Sequence, residues 1–419
     1  MGGAKLIINV DVIAKNSILK NQGLIMEDGK IKHLFPMEQI GLNAKKTSIG
    51  EVIDGEGGYL APGFIDIHSD NLESAVQPRP NSIIDFEIAL MEQEKQLANQ
   101  GITTMYHSLS FIDEGSSVLR EKEARKPDKM KEIVELIKNL EKTNHLIRHK
   151  FHCRFDVRNT SGYDVLMDYI EKNYLDLLSF MDHTPGQGQY KNLGRYKETM
   201  KKYKSGIDDR EIDTLIKEKI SIPVLSNEKI EDSANMAREK GIPIASHDDD
   251  SEEKLLYVNT KLNAVISEFP IELDVARKAK KRGMLTVAGA PNVLLGRSHS
   301  GNVSATEAIL DGCIDILCSD YYPPAMLHAV FKLNRNYKIP LWESMKLVTV
   351  NPAKALGIEK DYGTIENGKK ADLVLIHIIN EKPAITKVFI DGHLVSDLNY
   401  RNLNYDSKNL GLRGSVAIV

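Results

Sequence analysis

Histidine and carboxylate side chains stand at or near the ends of a series of short apolar runs in this chain. They are His68, Asp70, His107, His152, Asp182, His183, His247, Glu268 and Asp320. Imidazole and carboxylate groups together are the ligands that Zn²⁺, Mn²⁺ and Fe²⁺ select. The pattern therefore predicts a site for one or two divalent metal ions, and the ligand types do not distinguish among these three metals.

The spacing of these residues narrows the choice of ligands. His68 and Asp70 are two positions apart, so on an extended strand both side chains face the same way and can reach one ion. Asp182 and His183 are adjacent, so they cannot both point inward unless the strand has ended before them. Of these two, we favour His183 as the ligand.

Other positions are less decided. His107 and His152 are as compatible with hydrogen-bonded core histidines as with metal ligands. His247 is followed by three aspartates, residues 248–250, which resemble the His68-Asp70 pair as potential ligands but are also compatible with a mostly solvated loop.

Strands and helices alternate through the middle of the chain, from residue 61 to residue 356. The predicted strands cover residues 63–68, 103–108, 151–157, 177–183, 242–248, 263–269, 284–290 and 315–320. Helical patterns lie between them, with a charged helical excursion over residues 190–240. Eight strand–helix units predict an α/β fold of the (β/α)₈ TIM-like barrel type, in which the strand ends meet at one mouth. An open doubly wound sheet is the alternative.

The two ends of the chain are rich in short β runs. Asp28-Gly29, Asn367-Gly368 and Asp391-Gly392 are turn pairs between such runs, and Asp-Gly or Asn-Gly between alternating apolar residues is typical of hairpins. We therefore expect residues 1–60 and 357–419 to form one small composite β-sandwich domain, built from both termini.

Composition limits the classes of function. With 55 Lys and Arg against 59 Asp and Glu, the formal net charge is −4, which argues against a nucleic-acid-binding protein. No apolar run is long enough for a membrane span. The cysteines, Cys153, Cys313 and Cys318, form no paired framework, so we expect a reducing, cytoplasmic compartment.

A loop rich in small residues, 289–307, has the composition of a phosphate-binding segment. Arg297, His299 and Ser300 lie within it, and Ser304 with Glu307 fits a capping box that starts a helix. An arginine can hold a phosphate by two parallel hydrogen bonds. Two further arginines outside the loop, Arg79 and Arg154, are additional candidates for anion binding.

Several motifs resemble those of a known family. APGFIDIHSDNLE (61–73), VTVNPAKALGI (348–358) and GTIENGKKADLVL (363–375) resemble the opening and closing motifs of the amidohydrolase superfamily, whose members are metal-dependent barrels flanked by a β domain. HSDNLE, MDHTPGQ, SHDD, EFP, GAPNVLLGRSHSGNVSA and SDYYP, in this order, are similar to the PhnM family of phosphonate-metabolism diphosphatases. The resemblance implies hydrolysis of the α–β phosphoanhydride of α-D-ribose 1-methylphosphonate 5-triphosphate to the 5-phosphate and pyrophosphate.

The resemblance also implies roles for individual residues. It places His68, Asp70 and Asp320 on one metal ion and His183, His247 and Glu268 on a second, with Asp320 as the general base. Asp156 departs from the family pattern, where Glu is expected.

The expected partner is a small anionic sugar triphosphate, and assembly into a homo-oligomer stays open. Two competing hypotheses remain: a conventional amidohydrolase or deaminase that acts on a cyclic amide or amine, and a non-enzymatic scaffold on the same barrel.

Overall fold

The computed structural model describes residues 3–44, 47–79, 81–112, 125–203, 206–296 and 303–400. Its strands are β1 Ala4–Ile13, β2 Ile18–Glu27, β3 Lys30–Pro36, β4 Ile49–Asp54, β5 Tyr59–Pro62, β6 Phe64–Ser69, β7 Ile102–Phe111, β8 Arg148–Asp156, β9 Leu177–Met181, β10 Ile244–His247, β11 Ile266–Glu268, β12 Leu285–Gly289, β13 Ile316–Cys318, β14 Leu373–Ile379, β15 Lys382–Ile390 and β16 His393–Asp397.

The helices alternate with the strands of the middle of the chain, as the sequence predicts. They are α1 Ile40–Ala44, α2 Asn71–Val76, α3 Phe86–Asn99, α4 Pro127–Leu140, α5 Tyr163–Glu171, α6 Leu193–Tyr203, α7 Asp209–Ser221, α8 Asn227–Glu239, α9 Glu252–Thr260, α10 Leu273–Lys281, α11 Ala290–Leu295, α12 Ala305–Leu310, α13 Ala325–Tyr337, α14 Leu341–Lys346 and α15 Val350–Ala355. Within the described ranges, none of them is long and apolar enough to cross a membrane.

Strands β6 to β13 form a parallel barrel in chain order. A bridge between Ser69 and Asp320 joins the first strand to the end of the last. The (β/α)₈ prediction is confirmed, because an open doubly wound sheet would leave these two strands apart. All eight predicted strands are present, although β9 ends at Met181, before the two residues that were predicted to close it.

Side chains alternate between the inside of the barrel and the helices around it. On β8, Phe151, Cys153 and Phe155 pack in a hydrophobic core with α4 and α5 residues, whereas the intervening His152 belongs to the inner face. This period of two is the reason why a strand that is buried on both faces can still present polar groups to the barrel axis. The lower part of the interior is apolar and includes Ile266 and Val287.

Both ends of the chain contribute to a second sheet. Its order is β16-β15-β14-β5-β1-β2-β3, with β4 paired to β1, and the two ends of the chain are joined within it by the antiparallel pair β5–β14 and by a bridge between Lys30 and Lys370. Asp28 and Gly29 have φ values of 50° and 75°, as the predicted β2–β3 hairpin requires, and Asp391-Gly392 repeats this conformation between β15 and β16. A sheet of composite origin is therefore confirmed, and the domain limits at residues 60 and 356 stay a prediction.

The charged excursion after the fourth barrel strand is helical. It contains α6, α7 and α8, and the side chains of Asp208 and Ser226 cap the N-termini of α7 and α8. The buried guanidinium of Arg158 ties this excursion to the barrel, because it donates to the carbonyl oxygens of Lys219 and Ile222 at the end of α7. The end of α7 is thereby held next to the loop that follows β8.

Candidate active site

Three side chains that the sequence predicts as ligands meet inside the barrel mouth. His68, His247 and Glu268 are 2%, 4% and 0% exposed, and each offers a ligand atom within 4.8 Å of the others. They converge because β6, β10 and β11 end at the same level, with His247 and Glu268 directly paired across neighbouring strands. Two imidazoles and a carboxylate form a donor set suited to Zn²⁺, Mn²⁺ or Fe²⁺, and so the residues fit a divalent ion.

The environment of His68 keeps its imidazole neutral. Burial, followed by the positive charges of Arg154 and His247, holds the pKa of His68 well below its usual value of 6.5. Its Nδ1 atom lies 3.0 Å from Glu268 Oε1. A neutral imidazole retains the lone pair that metal ligation requires.

A chain of hydrogen bonds behind Glu268 fixes its carboxylate. The Ser179 hydroxyl donates to Glu268 Oε2 over 2.6 Å, and the same hydroxyl lies 2.5 Å from His152 Nε2. His152 Nδ1 lies 2.9 Å from the Ser108 hydroxyl oxygen. His152 is thus a neighbour of the ligand set, connected to it through Ser179, a residue that the sequence analysis missed. Ser179 could have been found from the sequence, because it occupies one of the alternating positions of β9 whose side chains face the barrel interior.

Asp320 lies directly above β13 with a left-handed backbone, φ 58°. Its amide N–H donates to the carbonyl oxygen of His68, and the Asp70 amide N–H donates to the carbonyl oxygen of Asp320. These bonds place Asp70 and Asp320 beside His68. Burial, followed by the negative charge of Asp70, raises the pKa of Asp320 from 3.8 to about 7. A carboxyl of this pKa is suited to exchange a proton near neutral pH.

The structure separates the environments of Asp182 and His183. The carboxylate of Asp182 accepts the Thr184 amide N–H over 2.9 Å and so closes its own turn. His183 Nδ1 lies 3.1 Å from the buried carboxylate of Asp156, and the His183 ring is 6.4 Å from the ring of His247. Asp156 thus has a role in orienting His183, which leaves the other ring nitrogen for a ligand.

The predicted anion-binding residues have different fates. Arg154 lies inside the barrel, with Nη2 3.5 Å from His247 Nε2, and its Nε atom has no hydrogen-bond partner among the described residues. Arg79 is on an exposed loop, where its backbone pairs with that of Ser82. Ser304 caps α12 as predicted. Arg297, His299 and Ser300 lie outside the described residues.

Two interpretations of polar residues need correction. The acidic run at residues 248–250 is not a solvated loop, because all three aspartates are buried under the segment that follows β9. His107 does not end its strand, since β7 continues to Phe111, and its ring faces outward. There His107 Nε2 lies 2.8 Å from His149 Nδ1, and His149 Nε2 lies 3.1 Å from Glu94 Oε2 on α3.

A parallel eight-stranded barrel with buried histidines and carboxylates at one mouth defines a hydrolase-type barrel of the amidohydrolase class. The comparisons agree. The Amidohydrolase family matches residues 196–395. The chain is 31% identical over 397 residues, 93% of its length and 100% of the relative, to the alpha-D-ribose 1-methylphosphonate 5-triphosphate diphosphatase of Escherichia coli strain K12. The chain therefore belongs to the amidohydrolase superfamily and, within it, to the family of this relative, the PhnM family.

More distant relatives share the superfamily. A dihydroorotase of Staphylococcus epidermidis is 24% identical over 437 residues, 92% of each chain. The solved structures of A. niger ochratoxinase and of a Brevibacillus agri dihydropyrimidinase both align with a TM-score of 0.62 at 14% identity. They cover 94% of this chain and 96% and 95% of their own, and at this identity they show the fold alone.

Proposed function

We propose that this protein is a metal-dependent diphosphatase that hydrolyses the α–β phosphoanhydride of α-D-ribose 1-methylphosphonate 5-triphosphate in phosphonate catabolism. Water adds across the α–β bond, so that the 5-phosphate and pyrophosphate are released. The similarity to the E. coli diphosphatase over the whole length of that relative carries the proposal. The ligand cluster supports an enzyme over a non-enzymatic scaffold, because a scaffold has no need of buried, converging ligands.

The ligands of the ions are assigned as the sequence predicts. His68, Asp70 and Asp320 would hold one ion, and His183, His247 and Glu268 the second. When bound, such ions neutralise charge on phosphoryl oxygens and lower the pKa of water. Zn²⁺ and Mn²⁺ are the first candidates and Fe²⁺ the next, since the donor set suits each.

The residues of the chain supply proton transfer and orientation. The carboxylate of Asp320 accepts the proton of the attacking water. The guanidinium of Arg154, whose Nη2 lies 3.5 Å from His247 Nε2, would bind an oxygen of the triphosphate. Arg297, His299, Ser300 and Arg79 are proposed to bind the remaining phosphates. Phosphoryl transfer depends mainly on such positioning and charge neutralisation.

A cytoplasmic location fits this function. Cys153, Cys313 and Cys318 are all unpaired and buried, as is usual in a reducing compartment. We propose that the partner is the small anionic sugar triphosphate itself, and that neither nucleic acid nor a membrane takes part.

The deciding experiment measures pyrophosphate release from the ribose 1-methylphosphonate 5-triphosphate, with Mn²⁺ or Zn²⁺ added, for the wild type and Asp320→Asn. We expect metal-dependent release that falls about 10²- to 10⁴-fold in the variant, the usual contribution of a general base. No release from protein shown to contain metal would reject the diphosphatase function.

The second candidate is a conventional amidohydrolase that acts on a cyclic amide or amine. The similarity to the S. epidermidis dihydroorotase favours it. The same metal-loaded protein should therefore be assayed with a cyclic amide. Opening of the amide ring, together with no pyrophosphate release from the ribose triphosphate, would identify this activity.

A further inference from the structure

Asp248 occupies a constrained position directly after β10. Its backbone is left-handed, with φ 53°, and its amide N–H donates to the carbonyl oxygen of Glu268 over 2.8 Å. A left-handed conformation is costly for a residue other than glycine and persists only where the surrounding structure enforces it. The backbone therefore holds Asp248 next to two members of the ligand cluster, His247 and Glu268.

The carboxylate of Asp248 is buried, and one of its oxygens accepts no hydrogen bond within the described residues. The residue is 6% exposed, and among the described residues Oδ2 of Asp248 has no hydrogen-bond partner. The nearby ammonium of Lys254 is engaged elsewhere, since it donates to the carbonyl oxygens of His247 and Asp248 over 2.7 and 3.3 Å. A buried carboxylate oxygen without a partner is expensive, so a positive group is expected beside it.

The Asp248 oxygen that accepts no hydrogen bond faces a ring nitrogen of His247 that also makes none within the described residues. Asp248 Oδ2 lies 3.0 Å from His247 Nδ1, and neither atom is aligned for a hydrogen bond within the described structure. Two atoms that bind one ion at about 2.1 Å are about 3.0–3.4 Å apart, for angles between a right angle and the tetrahedral angle. The separation therefore matches two ligands on one ion.

We propose that Asp248 is a further metal ligand, which binds the same divalent ion as His247. The inference rests on the proposed metal-dependent function and adds a carboxylate to its ligand set. The neighbouring aspartates differ in kind: Asp249 accepts hydrogen bonds from the Ser246 and Ser267 hydroxyls, and Asp250 accepts the Gly188 amide N–H. Asp248 is thus the member of the run whose carboxylate oxygen needs an ion.

The variant Asp248→Asn tests whether Asp248 is a metal ligand or only orients the ring of His247. Asparagine retains a side-chain oxygen that can face His247, but it removes the negative charge. The affinity of the chelated protein for Zn²⁺, Mn²⁺ and Co²⁺ is measured by titration against a competing chelator, without substrate. We expect Asp248→Asn to lower the affinity for one ion at least tenfold and to change the visible spectrum of bound Co²⁺. Asp250→Asn, which alters an equally buried neighbour, should leave both unchanged.

The thermal stability of the same proteins provides a second readout. The melting temperature of Asp248→Asn is first measured in the chelated state, as its own reference. Addition of metal should then raise its melting temperature less than that of the wild type. Wild-type affinity together with a wild-type Co²⁺ spectrum would overturn the proposal, as would an equal rise in melting temperature for the two proteins on addition of metal.

Asp248→Cys covers the case in which Asp248→Asn does not fold. A thiolate at this position should give the intense near-ultraviolet band of a Co²⁺–sulfur bond, which wild-type protein lacks, and absence of the band overturns the proposal. Because no substrate is used, the outcome is independent of the enzymatic assay. If Asp248→Asn lowers metal affinity but the wild type releases no pyrophosphate, only the diphosphatase function is rejected.

Discussion

The hydroxyl of Ser179 donates a hydrogen bond to Oε2 of Glu268 over 2.6 Å, and both side chains are completely buried. The other carboxylate oxygen, Oε1, faces His68. Two barrel strands other than its own thus fix the plane of the Glu268 carboxylate. Oε2 is occupied by Ser179, so that Oε1 is the oxygen directed toward the ligand cluster.

Removal of this hydroxyl should weaken metal binding. We expect Ser179→Ala to lower metal affinity about 10- to 100-fold, the usual effect of losing a group that orients a ligand, and Ser179→Thr to restore much of it. Chelator competition measures the affinity. Ser233→Ala is the matched control, because Ser233 is a buried serine whose hydroxyl donates to a helix carbonyl in α8. Equal effects of the two alanine variants would contradict the orienting role.

The carboxylate of Asp156 should contribute more to metal affinity than that of Asp182. Asp156→Ala frees the ring of His183, and we expect metal affinity to fall about 10-fold or more. Asp182→Ala removes a turn contact with Thr184 and should change affinity little. Equilibrium dialysis of the two variants makes the comparison. A larger loss in Asp182→Ala would indicate that Asp182, not His183, is the ligand.

The metal-free protein should show a pH dependence that is due to Asp320. Its pKa is raised to about 7, so between its unfolded pKa near 3.8 and pH 7 the folded state holds a proton that the unfolded state has lost. Stability from this group therefore falls as the pH rises, by at most about 1.4 kcal/mol per pH unit.

Denaturant unfolding of chelated wild type and chelated Asp320→Asn at pH 5, 6 and 7 tests this. The difference in unfolding free energy, variant minus wild type, should grow with pH. A difference that stays constant, or that shrinks, would show that the Asp320 pKa is not raised in the folded protein.

The outward-facing network at α3 should affect stability without affecting catalysis. Although burial opposes it, hydrogen bonds from His149 and the Leu146 amide lower the pKa of Glu94. Glu94→Ala leaves His149 without this acceptor. We therefore expect the free energy of unfolding to fall by about 1–3 kcal/mol, with kcat unchanged. The control is Glu92→Ala, an exposed neighbour on α3 paired with Lys95, which should cost little. A lowered kcat in Glu94→Ala would connect this network to the active site.

The barrel and part of its site could be predicted from the sequence because both follow from strand periodicity. Eight apolar runs separated by helices define the barrel, and the groups that close these runs then meet at one level, as His68, His247 and Glu268 do. The exposed position of Arg79 was not predictable, since nothing in a short loop motif fixes the direction in which the loop leaves the mouth.

The remaining errors have local physical causes. β7 extends three residues beyond its expected end, which shows that His107 is an interior strand position whose parity points outward. The burial of residues 248–250 depends on coverage by the distant segment after β9, and composition carries no information about such coverage. Asp248 adopts a left-handed backbone that no local pattern announces.

The pairing of β5 with β14 has a consequence for the order in which the molecule is made. During synthesis the barrel strands emerge one after another, and from β7 onward each strand emerges after a strand with which it pairs. Strand β5 emerges before all of them, yet its partner β14 appears only after the last. Its hydrogen-bonding edge therefore stays open while the entire barrel is translated, and open edges invite pairing with other chains. A ribosome that stalls within the barrel leaves this edge of β5 without its partner.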